Sequence, residues 1–338
     1  MFIATYNAIY ALEDNGDSQP TQVYSGTDHQ CLGGRGNHRA LAVLPKSRAD
    51  AVALSDGTLL LLSENETTRI PTGIEAPIAA LLVVHEDPLC LLIGTDQGAR
   101  VYRLTDKTGP AERVETFDAL ACRKEWYTPW GGPPSVWNFA KTGDGFCYAD
   151  IHVGSIMRSA DAGGSWQPVT PELHKDVHQV TTSPADDNRV YANTANGVYV
   201  SLDRGNSWEH RSQGLPTRYG VALAVHPTDP DLLLAAVQTG PGGGEAYLCR
   251  SEDMGETWDT INDRFVGAMD RVIPNSVKFA PDGTAWAVVG RKLYIGRDRA
   301  EDWQDFWTAP EYDGVYQPPS DAFSLSHLIA HPIQVLAV

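Results

Sequence analysis

Three stretches of this chain, SADAGGSW at 159–166, SLDRGNSW at 201–208 and SEDMGETW at 251–258, spell one pattern, S-x-D-x-G-x-x-W. A fourth, GRDRAEDW at 296–303, keeps Asp298 and Trp303 but has Gly296 for the serine and Ala300 for the glycine. Successive aspartates stand 42, 50 and 45 residues apart. That period belongs to propeller blades or solenoid units, each of which needs its neighbours to bury a face. The residue types suit a hairpin turn with fixed ends. Asp161, Asp203, Asp253 and Asp298 can accept hydrogen bonds from turn N–H groups, the glycine can take a positive φ, and Trp166, Trp208, Trp258 and Trp303 supply apolar wedges between sheets.

Working outward from these turns, each unit reads as an inner strand, a turn often containing His-Pro or Pro-Asp, two further strands, the motif and a fourth strand. Blades are expected over residues 134–172, 177–213, 219–262 and 274–308, and by strand rhythm alone over 37–73 and 76–118. The N-terminal FIATYNAIYALEDNGDSQPTQVYSG matches only the last three strands of a unit and the C-terminal LSHLIAHP only the first. Residues 324–338 plus 1–25 therefore make one more blade, with the segment from Ile333 to Val338 a surplus that competes for the place given to Met1 to Thr5. The expectation is an all-β, seven-bladed β-propeller of four-stranded antiparallel blades, its first blade closed by both chain ends. One ring accounts for all 338 residues as a single domain.

Composition agrees. Thirty-one Gly, 22 Pro, 13 Tyr and 9 Trp serve many tight turns and aromatic-packed sheets. A formal net charge of −17 without a Lys/Arg-rich run argues against nucleic acid and anionic membrane as partners. No apolar run reaches membrane-spanning length. The start, MFIATYNAIYAL, lacks a basic n-region and reads as strands rather than a signal peptide. Five scattered cysteines without C-x-x-C spacing fit buried thiols in a reducing cytoplasm, the expected location.

The repeated motif resembles the Asp-box (BNR) repeat, which in its family sits on the turn between the third and fourth strands of a blade and is structural. The same box occurs in sialidases, other glycoside hydrolases, sortilin-type receptors and photosystem II assembly factors, so the resemblance implies a fold and leaves function open. WGGPP at 130–134, HVGSIMRS at 152–159, DVH at 176–178 and TGP at 239–241 further resemble a group of bacterial, box-containing cytoplasmic propellers without a settled activity. Sialidases also carry an R-I-P arginine. Arg69, Ile70 and Pro71 spell it here, but at the end of an outer strand away from the axis.

In a propeller the loops entering each blade and those joining second to third strands open on one face. Candidate chemistry collects there. Asp150 and His152 stand in DIHVGS, Asp176 and His178 in ELHKDVHQ, and these four are the candidate catalytic residues. Trp130, Trp137, Arg39, Arg218, Tyr219 and Gln238 are the candidate ligand contacts. His and Asp in one crevice suit general acid–base work, or a divalent metal held by His152 and His178, and aromatic rings suit stacking on a sugar. His85, His226 and His331 fall in His-Pro-type turns on the opposite face and read as structural. The leading expectation is an axial pocket for a small polar ligand, a sugar or carboxylate, with hydrolase or lyase chemistry. The rival is a non-enzymatic assembly scaffold with a protein partner.

Overall fold

The computed structural model describes residues 2–5, 8–12, 16–25, 41–44, 49–54, 56–63, 66–129, 131–169, 171–241, 244–265, 276–310 and 333–337. Within these residues the strands form seven four-stranded antiparallel sheets, with helix confined to the short turns Glu115–Asp118, Ala121–Glu125 and Asn262–Arg264. The protein is a seven-bladed β-propeller. The first strands of blades two to seven are Leu41–Leu44, Ile78–Glu86, Val136–Lys141, Val177–Thr182, Tyr219–Val225 and Val277–Phe279, and successive first strands lie side by side around the axis. The fourth strands of blades four to six, Gln167–Pro168, Glu209–His210 and Asp259–Thr260, are short and exposed.

Blade one is closed by both chain ends. Phe2–Thr5 pairs with Ala8–Ala11 on one side and with Ile333–Ala337 on the other, in the register Phe2 to Ala337, Ile3 to Leu336 and Ala4 to Val335. This corrects one detail of the sequence reading. The strand completing the blade is the supposed surplus after His331, whereas LSHLIAHP lies outside the described residues. Both segments are apolar enough for a strand, and the choice rests on which one reaches the free edge of Phe2–Thr5.

Each sheet buries both faces, one against each neighbour, so its middle strands read as continuous apolar runs rather than alternating ones. Leu89–Thr95, Val190–Thr194 and Leu233–Gln238 are buried along their whole length. The described core divides into seven clusters, each straddling one junction between adjacent blades, including the junctions of blade one with blades two and seven. The ring is therefore sealed by side-chain packing as well as by strand pairing.

The box turns lie between third and fourth strands. In the first, Ser159 Oγ donates to Asp161 Oδ1 (2.7 Å) and accepts from Gly163 N–H (2.9 Å), while Asp161 also accepts from Ser165 N–H (2.8 Å) and Ser165 Oγ (2.8 Å). The same four bonds recur around Asp203 and around Asp253. Gly163 has φ 83° and a Cβ there would meet Leu92 of the preceding blade at 2.5 Å, so glycine is required twice over. Trp166, Trp208, Trp258 and Trp303 each pack into the cluster shared with the preceding blade. In the worn fourth turn Ala300 takes φ 63°, and Trp303 Nε1 donates to Ala300 O (2.8 Å) as Trp166 Nε1 does to Gly163 O (3.0 Å).

Candidate functional site

An inner strand of a propeller leaves one edge of backbone groups facing the channel, where neither a fifth strand nor bulk water satisfies them fully. In blades five and six the preceding blade supplies partners for this edge. Asn138 Nδ2 donates to Val180 O (2.8 Å) and Asp150 Oδ2 accepts from Val180 N–H (2.7 Å). One blade further on, Gln179 Nε2 donates to Leu223 O (3.1 Å), its Oε1 accepts from Leu223 N–H (3.0 Å), and Asn193 Nδ2 donates to Ala222 O (2.9 Å). Asp150, Gln179 and Asn193 are buried. These polar side chains, unusual among apolar strands, thus form a circumferential clamp.

At the channel mouth above this clamp, the inner strands of blades three to six each carry a β-bulge near their start, between Ile78 and Ala80, Val136 and Asn138, Val177 and Gln179, and Gly220 and Ala222. A bulge inserts one residue and re-aims its side chain. In blades four and five the inserted residues are Trp137 and His178.

His152 arrives from the turn after the second strand of blade four. Its backbone surroundings are constrained: Val153 has φ 47° and Ser155 φ 66°, a conformation costly for a β-branched residue. A Cβ on Gly154 would strike Ile151 and Trp126 at 2.6 and 2.9 Å. Asp176 immediately precedes the inner strand of blade five.

The three side chains converge. His152 Nε2 lies 3.1 Å and His178 Nε2 3.3 Å from the same atom, Asp176 Oδ1. His178 Nδ1 is 2.6 Å from Gly220 O of blade six, and because a carbonyl only accepts, this nitrogen carries a proton. Ring centroids lie 4.1 Å apart for Trp137 and His152, which meet edge to face, 4.6 Å for Tyr219 and His178, and 5.7 Å for the two imidazoles. Both histidines are buried, while the Asp176 side chain keeps 21% of its exposure. Burial pushes the Asp176 carboxyl up, but hydrogen bonding and charge from His152 and His178 outweigh it and hold the group well below the usual carboxylate range. Burial pulls the His152 imidazole down, against the opposing pull of Asp176.

Of the sequence candidates, His152, Asp176, His178, Trp137 and Tyr219 meet at one place. Asp150 lies below them with one oxygen engaged by the Val180 N–H. Gln238 is buried and its Nε2 donates to Gly240 O (3.0 Å), shaping its own loop. Arg218 is exposed beside Tyr219. Trp130 and Arg39 lie outside the described residues, as does His331. Arg69 sits on the outermost strand of blade two, 3.7 Å from Asp56. His226 Nδ1 accepts from Asp229 N–H (3.2 Å) within its turn, and His85 Nδ1 is hydrogen-bonded to Pro88 O. The sequence reading missed the Gly220 carbonyl and the clamp. A lone glycine in the apolar run YGVALAV was the available signal, since glycine inside a strand marks a bulge or a close backbone approach.

Comparison with known proteins places this architecture among propellers of diverse function. The sequence model of the sortilin family (Sortilin, neurotensin receptor 3) matches residues 154–266. The xyloglucanase Xgh74A of Acetivibrio thermocellus is 29% identical over 192 residues, covering 48% of this chain and 22% of that protein. Vacuolar protein sorting/targeting protein 10 of Colletotrichum graminicola is 31% identical over 106 residues, covering 30% of this chain and 7% of that protein. This chain therefore spans less than a quarter of either curated relative. Among solved structures, the GH74 xyloglucanase of Xanthomonas campestris superposes with a TM-score of 0.63 at 17% identity, covering 89% of this chain and 50% of that one. That likeness is one of fold. Among the described residues no helix is long and apolar enough to cross a membrane.

Proposed function

We propose that the mouth of the channel at blades four to six binds a small polar ligand, a sugar or a carboxylate, and that His152, Asp176 and His178 carry hydrolase or lyase chemistry on it. The observation that carries this reading is the convergence of two imidazole nitrogens from different blades on Asp176 Oδ1, at 3.1 and 3.3 Å. Packing alone gives no reason to collect three ionisable groups there, since burying them costs free energy unless they are used or fully paired. Tyr219, only partly buried beside the His178 imidazole, offers ring surface of the kind that sugars stack on, and buried Trp137 backs His152. Tyr127 on the loop entering blade four is 55% exposed, and exposed Arg218, next to Tyr219 in the chain, supplies a positive charge for a carboxylate. The similarity to proteins named xyloglucanases favours a glycan over other polar ligands. Asp150 is assigned to the clamp rather than to the reacting groups.

The test is a calorimetric and thermal-shift screen of plant-type oligosaccharides, uronic acids and simple organic acids against the wild type and the His152→Ala/His178→Ala double variant. Binding by the wild type that disappears in a folded double variant is the expected result. Equal binding by both proteins, or no binding by the wild type, overturns the reading and leaves the scaffold alternative.

A further inference from the structure

We infer that His152, Asp176 and His178 form a mononuclear site for a divalent first-row transition metal of the Zn2+ class. This rests on the reading of the same cluster as a ligand site and specifies the chemistry it uses. Three ligand atoms of the types this class of cation prefers, one from each side chain, lie within 4.8 Å of one another. Bonds of about 2.1 Å to imidazole nitrogen and carboxylate oxygen separate neighbouring ligand atoms by roughly 3.0 Å in an octahedral and 3.4 Å in a tetrahedral arrangement. The observed nitrogen–oxygen separations, 3.1 and 3.3 Å, fall within that range.

The tautomer of His178 makes the same point chemically. Its Nδ1 proton is committed to Gly220 O, so the neutral ring directs the lone pair of Nε2 toward Asp176 Oδ1. His152 Nε2 aims at the same oxygen. Two nitrogens and an anionic oxygen facing one another need positive charge or protons between them, and one divalent cation serves all three atoms at once. A backbone carbonyl that fixes the non-ligating nitrogen of a histidine is also the usual outer support of a metal-bound imidazole. The strained turn at Val153 holds His152 in place, and the bulge at His178 turns that ring to the mouth.

Three protein ligands leave a coordination position for water or ligand, as in catalytic rather than structural zinc sites. Asp176, the least buried of the three, marks the side from which that position is reached. A bound cation there polarises a glycosidic or carboxylate oxygen or lowers the pKa of its own water.

The full-length protein, stripped with dipicolinate and dialysed, is titrated with Co2+ followed by visible absorption and with Zn2+ followed by calorimetry. One ion per chain is expected, with binding weakened at least tenfold in Asp176→Asn and His178→Ala and unchanged in His85→Ala. His152→Gln provides a second ligand variant should His178→Ala fail to fold. Absence of stoichiometric binding by the folded wild type, or undiminished binding by folded ligand variants, overturns the inference. Sugar or acid binding by chelator-treated protein that takes up no metal leaves the ligand site standing and removes the metal. Stoichiometric metal uptake without binding of any sugar or acid supports the metal and removes the ligand reading.

Discussion

Gly220 O of blade six receives the Nδ1 proton of His178 of blade five at 2.6 Å, so a backbone atom of one blade sets the tautomer of a candidate site residue on the preceding one. The geometry depends on residue 220 having no side chain. A Cβ there would stand 1.6 Å from Asn193 Oδ1, the amide whose Nδ2 holds Ala222 O.

Gly220→Ala is therefore expected to push the Asn193 amide and the inner strand of blade six apart, at about 1–3 kcal/mol for overpacking. Ligand or metal affinity should fall more steeply than stability, because the Gly220 carbonyl moves away from His178. Denaturant unfolding alongside Co2+ titration checks this; affinity that survives while the protein is destabilised contradicts it.

The clamp gives a second prediction. Gln179→Ala removes both partners of the Leu223 backbone, whose N–H and C=O lie in a buried strand. Leaving those groups unmet costs about 1–3 kcal/mol each. A urea midpoint close to the wild-type value would show that water replaces the side chain there.

The box aspartates should hold stability and not binding. Asp203→Ala strips acceptors from the Ser207 N–H and from the Ser201 and Ser207 hydroxyls, in a turn that is partly solvated. A loss of about 1 kcal/mol is expected, with ligand affinity unchanged at a temperature where the variant stays folded. Lost binding without lost stability would reassign the motif.

These carboxylates also fix the sign of the acid response. In Asp161, Asp203 and Asp253 burial raises the carboxyl pKa, but hydrogen bonds from the turn outweigh it and leave all three lowered. The unfolded chain then binds more protons than the folded one near the ordinary carboxylate pKa of about 4. Their stabilisation is present above that pH and is lost as the pH falls through the lowered values. The urea midpoint should drop between pH 5 and pH 3, and less steeply in Asp203→Asn; parallel curves for the two proteins would contradict this.

Closure by the chain ends yields the last prediction. Deleting residues 333–338 exposes the edge of Phe2–Thr5 and opens the ring where blade one meets its neighbours. A lower melting temperature and concentration-dependent aggregation, measured by light scattering, are expected from an unpaired edge. An unaltered melting temperature and light-scattering signal would mean that side-chain packing alone seals the ring.

The repeated S-x-D-x-G-x-x-W turns were legible in the sequence because their bonds are local: Ser159, Asp161, Gly163 and Ser165 make one turn within seven residues, and its spacing repeats. Together with the strand rhythm of the box-free segments 37–73 and 76–118 and of the two chain ends, that period gave the blade count, the split first blade and the face expected for His152, Asp176 and His178. The identity of the closing strand was not legible, since 325–332 and 333–337 carry similar apolar patterns and only pairing with Phe2–Thr5 separates them. Nor was it legible which of Asp150 and Asp176 meets the two imidazoles, or that Gly220 O, 42 positions along the chain, holds His178 Nδ1, because a bulge re-aims the His178 side chain without leaving a periodic mark. Asp150 and Asp176 show the division most clearly: equal as carboxylates in the sequence, they part because one lies against the free edge of the next inner strand and the other stands at its entrance.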